Sequence, residues 1–188
     1  MEIDKLKIEY LTRTLLGVIG EDIHREGLKE TPERVARFWE EFINYDPGKI
    51  DVMFESAKTD QMVVLTGIRV YSLCEHHLLP FSCDVSIGYI TGTEVVGLSK
   101  LARIAYKHAH RLQVQERLTA EIANSVMGIS GVMDVAVITS GVHMCMQMRG
   151  IKSTGVMVVS EMRGKFRNPE NPGPRDEFFR LCALAQGG

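Results

Sequence analysis

"CDVSIGYITGTE", residues 83–94, decides how this chain is read. Cys83, Val85, Ile87 and Tyr89 fall on one side of a period-two pattern, and Asp84, Ser86 and Gly88 on the other. Such alternation marks a half-buried strand, because the apolar residues of a helix recur every three to four positions. "TGTE" (91–94) reads as a turn and "VVGL" (95–98) as a short returning strand. Upstream, residues 62–74 are rich in Val, Ile, Leu and Tyr and form the preceding strand. Downstream, Ser99 is placed to cap a helix through "KLARIAYKHAHRL", and "VQERLTAEIANSVMG" forms a second with Leu118, Ile122 and Val126 inward. Strands resume over 133–149 and 154–162.

The order is strand, strand, helix, helix, strand, strand. Short turns make neighbouring strands antiparallel, which gives an α+β layer design: a four-stranded antiparallel sheet with two helices on one face. Four strands leave two open edges, a reason for such a domain to join copies of itself. Residues 1–50 read as a helical arm. Leu11, Leu15, Val18 and Ile19 recur at helical spacing, and a second helix carries Thr31 as N-cap, Pro32 at its first position, and Val35, Phe38, Trp39 and Phe42 on its apolar face. "DPGKID" (46–51) ends it. Residues 51–166 then form the main domain. From 167 the chain reads as a loop, "RNPENPGPRD", whose three prolines break regular structure, and a short helix, "DEFFRLCALA".

A 188-residue chain, 45% hydrophobic and 24% charged, suits one soluble domain with an extension. A net charge of −2 with no long basic run gives no nucleic-acid surface, and no apolar run is long enough to span a membrane. The N-terminus lacks the apolar block of a signal peptide, so we read the protein as cytoplasmic and its four cysteines as thiols or ligands.

"SLCEHHLLPF" (72–81) places Cys74, Glu75, His76 and His77 together, and Cys-x-x-His is half of a zinc-type ligand set. The other half is sought in "HMCMQMRG" (143–150). Read as a strand, it puts His143, Cys145, Gln147 and Arg149 on one face, and Met144, Met146 and Met148 on a soft core face. Cys145 thus joins Cys74 and one of His76 or His77. Three protein ligands leave a position for water, the pattern of a catalytic site rather than a closed structural one. Cys83, the nearest candidate for a fourth, groups by parity with core residues, and Cys182 lies on an apolar helix. His24, His108 and His110 carry no role. Ser99 and Lys100 open a helix where free N–H groups favour phosphate, and Arg103 follows one turn later. Gln115 and Glu116 fall where the two helices meet, and a carboxylate there can accept two parallel N–H bonds from a purine edge.

These segments resemble a known family. "SLCEHHLLPF", "VVGLSKLARI", "RLQVQERLT" and "HMCMQMRG" are similar, in order, to the signature segments of GTP cyclohydrolase I, and "EGLKETPERVARFWEEF" to its N-terminal helix motif. The resemblance covers about residues 11–166. It implies the tunnelling fold, assembled as a toroidal homodecamer. It implies a zinc enzyme that converts GTP and water to 7,8-dihydroneopterin triphosphate and formate, feeding pterin, folate or 7-deazaguanine synthesis. By motif it makes Cys74, His77 and Cys145 the zinc ligands, and His76 and His143 acid–base residues. Glu116 with Gln115 anchors guanine, and Lys100, Arg103, Arg149 and Arg34 face the triphosphate. His143 is expected to protonate nitrogen 7 of the guanine, His76 and Ser99 to serve the ribose steps, and Glu75 to orient a neighbour. Two features depart from the family pattern: arginine stands at position 37, and the strand after "RGIK" reads "STGVMVV", more apolar than its counterparts. A non-catalytic zinc module would need a fourth ligand and leaves Glu116, Lys100 and Arg149 unexplained. Another tunnelling-fold enzyme, a nitrile reductase, would not need Cys-x-x-His.

Overall fold

The computed structural model describes residues 2–55, 60–129 and 131–186. The chain forms two compact units, Met1–Asp46 and Pro47–Gly188. The first holds α1 (Lys5–Val18), a 3₁₀ turn (Glu26–Leu28) and α2 (Thr31–Ile43). Asp4 caps α1, its carboxylate accepting from the Lys7 N–H at 3.0 Å. The two helices pack together, with Phe38, Trp39 and Phe42 in mutual ring contact on α2. The N-cap of α2 is Glu30, not Thr31. Thr31 is already helical, and its hydroxyl donates back to the Gly27 carbonyl.

The second unit is built on a five-stranded sheet in the order β5-β2-β3-β6-β7. Its long strands are β2 (Met62–Cys74), β3 (Pro80–Ile90), β6 (Val135–His143) and β7 (Met157–Arg163), which pair with one another antiparallel. The two-residue β5 (Leu112–Gln113) adds a parallel edge to β2, pairing Cys74 with Gln113. A separate ribbon joins β1 (Met53–Glu55) to β4 (Glu94–Val96). The architecture is mixed α+β.

One face carries α3 (Leu98–Ala109) and α4 (Gln115–Met127). Leu101, Ile104, Leu118, Ile122 and Val126 meet Val70, Val85, Ile87, Val135 and Val137 in a single core cluster. The alternation of residues 83–90 points Cys83, Val85, Ile87 and Tyr89 into this core, each about fully buried. The opposite face is half covered as well. There α6 (Gly173–Gln186) sets Phe178 and Cys182 against Ala136 and Phe166. A Cβ on Gly88 would come within 2.6 Å of the Phe178 ring, so the glycine lets α6 lie flat on the strand.

Three sequence expectations fail here for local reasons. Ser99 is not a cap: Gly97 holds that position, and no side chain caps α3. The Pro-rich segment is not loop throughout, because α6 starts at Gly173 with Pro174 in its first turn, where a missing N–H costs nothing. Finally, the strand through residue 149 stops at His143. Residues Met144–Gln147 turn into a short helix, α5. The face parity drawn for residues 144–149 therefore does not hold, and Met148 is exposed rather than core.

Candidate active site

The site forms where β2 and β6 end side by side with the start of β3. Cys74 is the last residue of β2 and is buried. Its N–H donates to the Leu79 carbonyl at 2.8 Å, and its carbonyl accepts from Leu78 at 2.8 Å and His77 at 3.3 Å, folding residues 74–79 into a tight turn. The turn brings both imidazoles back over the thiol. Cys74 Sγ lies 3.7 Å from His77 Nδ1 and 3.9 Å from His76 Nδ1. The helical twist of α5 supplies Cys145. One ligand atom each from Cys74, His77 and Cys145 lie within 4.8 Å of one another. Two thiols and an imidazole at that spacing fit a thiophilic cation with three protein ligands. Burial pushes the Cys145 thiol up, and the neighbouring Cys74 adds to the effect. A bound cation reverses that balance, since a coordinating thiol is deprotonated. Cys83 is elsewhere in the core, with its thiol pushed up to about 12 by burial.

If the two sulfurs are this close, removing the metal exposes them to oxidation. Treatment with a chelator and then oxidised glutathione is expected to join Cys74 to Cys145. Peptide mapping that recovers both as free thiols contradicts the arrangement.

His143, the last residue of β6, pairs in register with Phe81 of β3, and the two rings stack at 4.6 Å and 5°. Its Nε2 lies 2.8 Å from Gln115 Oε1. Gln115 is fully buried, and its amide nitrogen donates to the Thr139 carbonyl, the Thr139 hydroxyl and the Met157 carbonyl, each at 3.0 Å. Carbonyls only accept, so the amide orientation is fixed, and Nε2 of His143 must carry the hydrogen. Nδ1 is left as the nitrogen that gains or loses a proton. Burial holds the imidazole below its ordinary value of 6.5, and the charge of Glu116 opposes that shift.

Gly141 makes room for this amide. A Cβ there would run into Gln115 Oε1 and stand 2.7 Å from Cys83 Sγ. Gly141→Ala is expected to cost about 1–3 kcal/mol, the usual range for overpacking. An unchanged urea midpoint contradicts it.

The other sequence-selected residues are more dispersed. Glu116 is exposed in the first turn of α4. Ser99 and Lys100 occupy the first turn of α3, with Ser99 exposed. Arg103 donates from Nη1 to the Pro47 carbonyl at 2.9 Å. Arg149 is exposed beyond α5, close enough to Cys145 for its charge to act on the thiol. Arg34 lies on α2 in the N-terminal unit, paired with Glu30 at 2.6 Å. Sequence reading passed over Arg117, which reaches Glu75 and Gln113. Its only signal was its place within "RLQVQERLT".

Comparison with known proteins gives the family. The sequence profile described as GTP cyclohydrolase I matches residues 8–183. GTP cyclohydrolase 1 of Hyperthermus butylicus is 47% identical over 182 residues, covering 96% of this chain and 92% of that protein. GTP cyclohydrolase 1 of Aquifex aeolicus is 47% identical over 182 residues, with 96% and 98% covered. Among solved structures, the apo form of an archaeosine synthase QueF-Like protein superposes with a TM-score of 0.42 at 19% identity, over 55% of this chain and 96% of that one. The profile match and the level of identity together establish that the chain is an enzyme belonging to the GTP cyclohydrolase I family.

Proposed function

We propose that the chain converts GTP and water to 7,8-dihydroneopterin triphosphate and formate at a zinc centre held by Cys74, His77 and Cys145. The carrying observation is the convergence of those three ligand atoms within 4.8 Å, with Cys145 two residues along the chain from His143. Zinc bound there supplies Lewis-acid activation of water near neutral pH.

The chain's own residues do the rest. Glu116 accepts two N–H bonds from the guanine edge. His143, protonated to the imidazolium while its Nε2–H stays on Gln115, donates from Nδ1 to nitrogen 7 and makes carbon 8 electrophilic. Gln115 stands behind it and holds that orientation. Burial lowers the histidine pKa, which makes the protonated ring a stronger acid but a scarcer one at neutral pH, and the charge of Glu116 offsets part of that shift. Ring opening releases carbon 8 as formate. The ribose rearrangement that follows needs a proton shuttle, for which His76, 63% exposed in its side chain, and Ser99 serve. Lys100, Arg103, Arg149 and Arg34 supply positive charge for the triphosphate.

We read residues 51–166 as a tunnelling-fold domain, preceded by the arm of residues 1–50 and followed by the 167–188 tail. The outer edge of β7 is unpaired among the described strands, and Val156 and Val158 beside it are 57% and 65% exposed. An apolar open edge supports closure between copies into a toroidal homodecamer. No helix among the described residues is long and apolar enough to cross a membrane. We place its action in the cytoplasm as part of this proposal. The product would feed pterin, folate or 7-deazaguanine synthesis.

GTP carrying an isotopic label at carbon 8 tests the reaction. The label is expected in formate. Label retained on a purine or lost as another one-carbon species contradicts the proposal.

A further inference from the structure

We propose that Arg117 is a positioning residue for the metal centre, bracing the turn between Cys74 and His77 through Glu75. The inference rests on reading Cys74, His77 and Cys145 as ligands, and adds an assignment for residues that bind neither metal nor substrate.

Glu75 sits inside the Cys-x-x-His turn. Its N–H donates to the Gln113 carbonyl at 3.0 Å, an extension of the parallel pairing between β2 and β5. Its carboxylate accepts a charge-assisted bond from Arg117 Nη2. The same Nη2 donates to the Leu112 carbonyl at 3.2 Å, and Nε donates to Gln113 Oε1 at 2.8 Å. Both the main chain and the side chain of Glu75 are therefore tied to residues 112–117.

The base of the brace is rigid. Gln113 is fully buried, and its Nε2 donates to the His108 carbonyl at 3.1 Å and to Glu121 Oε2 at 2.7 Å. Glu121 in turn faces His108 Nδ1 at 3.3 Å, whose Nε2 lies 2.7 Å from Ser125 Oγ. The guanidinium fork thus joins a partly buried polar network between α3 and α4 to the one acidic residue in the ligand turn.

That turn needs holding. Leu78, directly after His77, has φ +55, in the left-handed region that leucine occupies only where its surroundings impose it. The pair Arg117–Glu75 is itself partly exposed, with side-chain exposures of 43% and 33%, so a purely stabilising role would be small. Its geometric consequence is larger, because a ligand set tolerates little misplacement. The second Glu75 oxygen lies 4.0 Å from His76 Nε2, so the brace also reaches the histidine that precedes His77 in the turn.

Zinc alone is the probe. Purified wild type, Arg117→Ala, Arg117→Lys, Glu75→Gln and the Arg117→Ala/Glu75→Gln double variant are loaded with zinc. Affinity and dissociation rate are then measured by chelator competition, alongside thermal melting. Loss of partners that orient metal ligands commonly weakens binding 10–100-fold. Arg117→Ala is expected to weaken zinc binding within that range and to speed its release, with melting little changed. Arg117→Lys, which keeps the charge but not the fork, should fall between. The double variant should be no worse than the weaker single one, since both remove the same brace. Glu75→Gln carries the test if Arg117→Ala does not fold. Affinity and release within twofold of wild type in Arg117→Ala or Glu75→Gln overturn the brace while leaving the metal centre intact. A wild type that takes up no zinc overturns the centre itself, and the brace with it.

Discussion

Cys145→Ser is expected to lower bound zinc well below one per chain and to abolish GTP turnover with it. A serine hydroxyl is a poor zinc ligand at neutral pH, and among the described residues three protein donors converge in this site. His77→Ala should behave in the same way. The contrast with His76→Ala is informative, because both rings sit near the Cys74 sulfur, at 3.7 Å for His77 and 3.9 Å for His76. Only His77 shares the 4.8 Å cluster with both cysteines. His76→Ala should therefore keep its zinc and lose rate. Zinc content and formate release measured together on all three variants decide the assignment. If His76→Ala empties the centre while His77→Ala stays loaded, the two histidines exchange roles.

His143→Ala should separate chemistry from binding. The ring stacks on Phe81 and bonds to Gln115, and it is not part of the Cys74, His77 and Cys145 cluster. The variant should retain about one zinc per chain and still bind GTP. Its turnover should fall by roughly 10²- to 10⁴-fold, the usual worth of a positioned acid–base group. Full turnover in a zinc-loaded His143→Ala contradicts the role given to it. Loss of zinc would place His143 among the ligands instead.

The sheet was legible where one residue type alternates with another. Residues 83–90 obey period two because a core lies on one side, and their apolar positions are buried as read. Gly88 and Ser86 are buried too, which alternation could not disclose, since α6 returns from the far end of the chain to cover them. The segment 143–149 kept the alternation of a strand, yet the backbone becomes helical at Met144. Alternating polar and methionine residues carry no signal that separates four residues of helix from strand, and tertiary context decided. Cys145 still reached the site, by a different path. The Cys-x-x-His half of the candidate site could be read from spacing because it is local, but spacing left His76 and His77 both open. The brace from Arg117 was not, since Glu75 is 42 positions away and the contact follows from the parallel pairing of β5 with β2. The same holds for Gln115: its place between His143 and the Thr139 and Met157 carbonyls joins three strands and helices that sequence spacing cannot bring together.

The most direct measurement incubates the purified, zinc-loaded protein with GTP, oxidises the mixture, and quantifies pterin fluorescence and formate from the same tube. A GTP cyclohydrolase with the centre described here gives neopterin fluorescence and one formate per GTP consumed. Both signals disappear when the metal is chelated and return with added zinc. GTP consumed without formate, or formate released at the full rate by metal-free protein, would contradict a reaction centred on Cys74, His77 and Cys145.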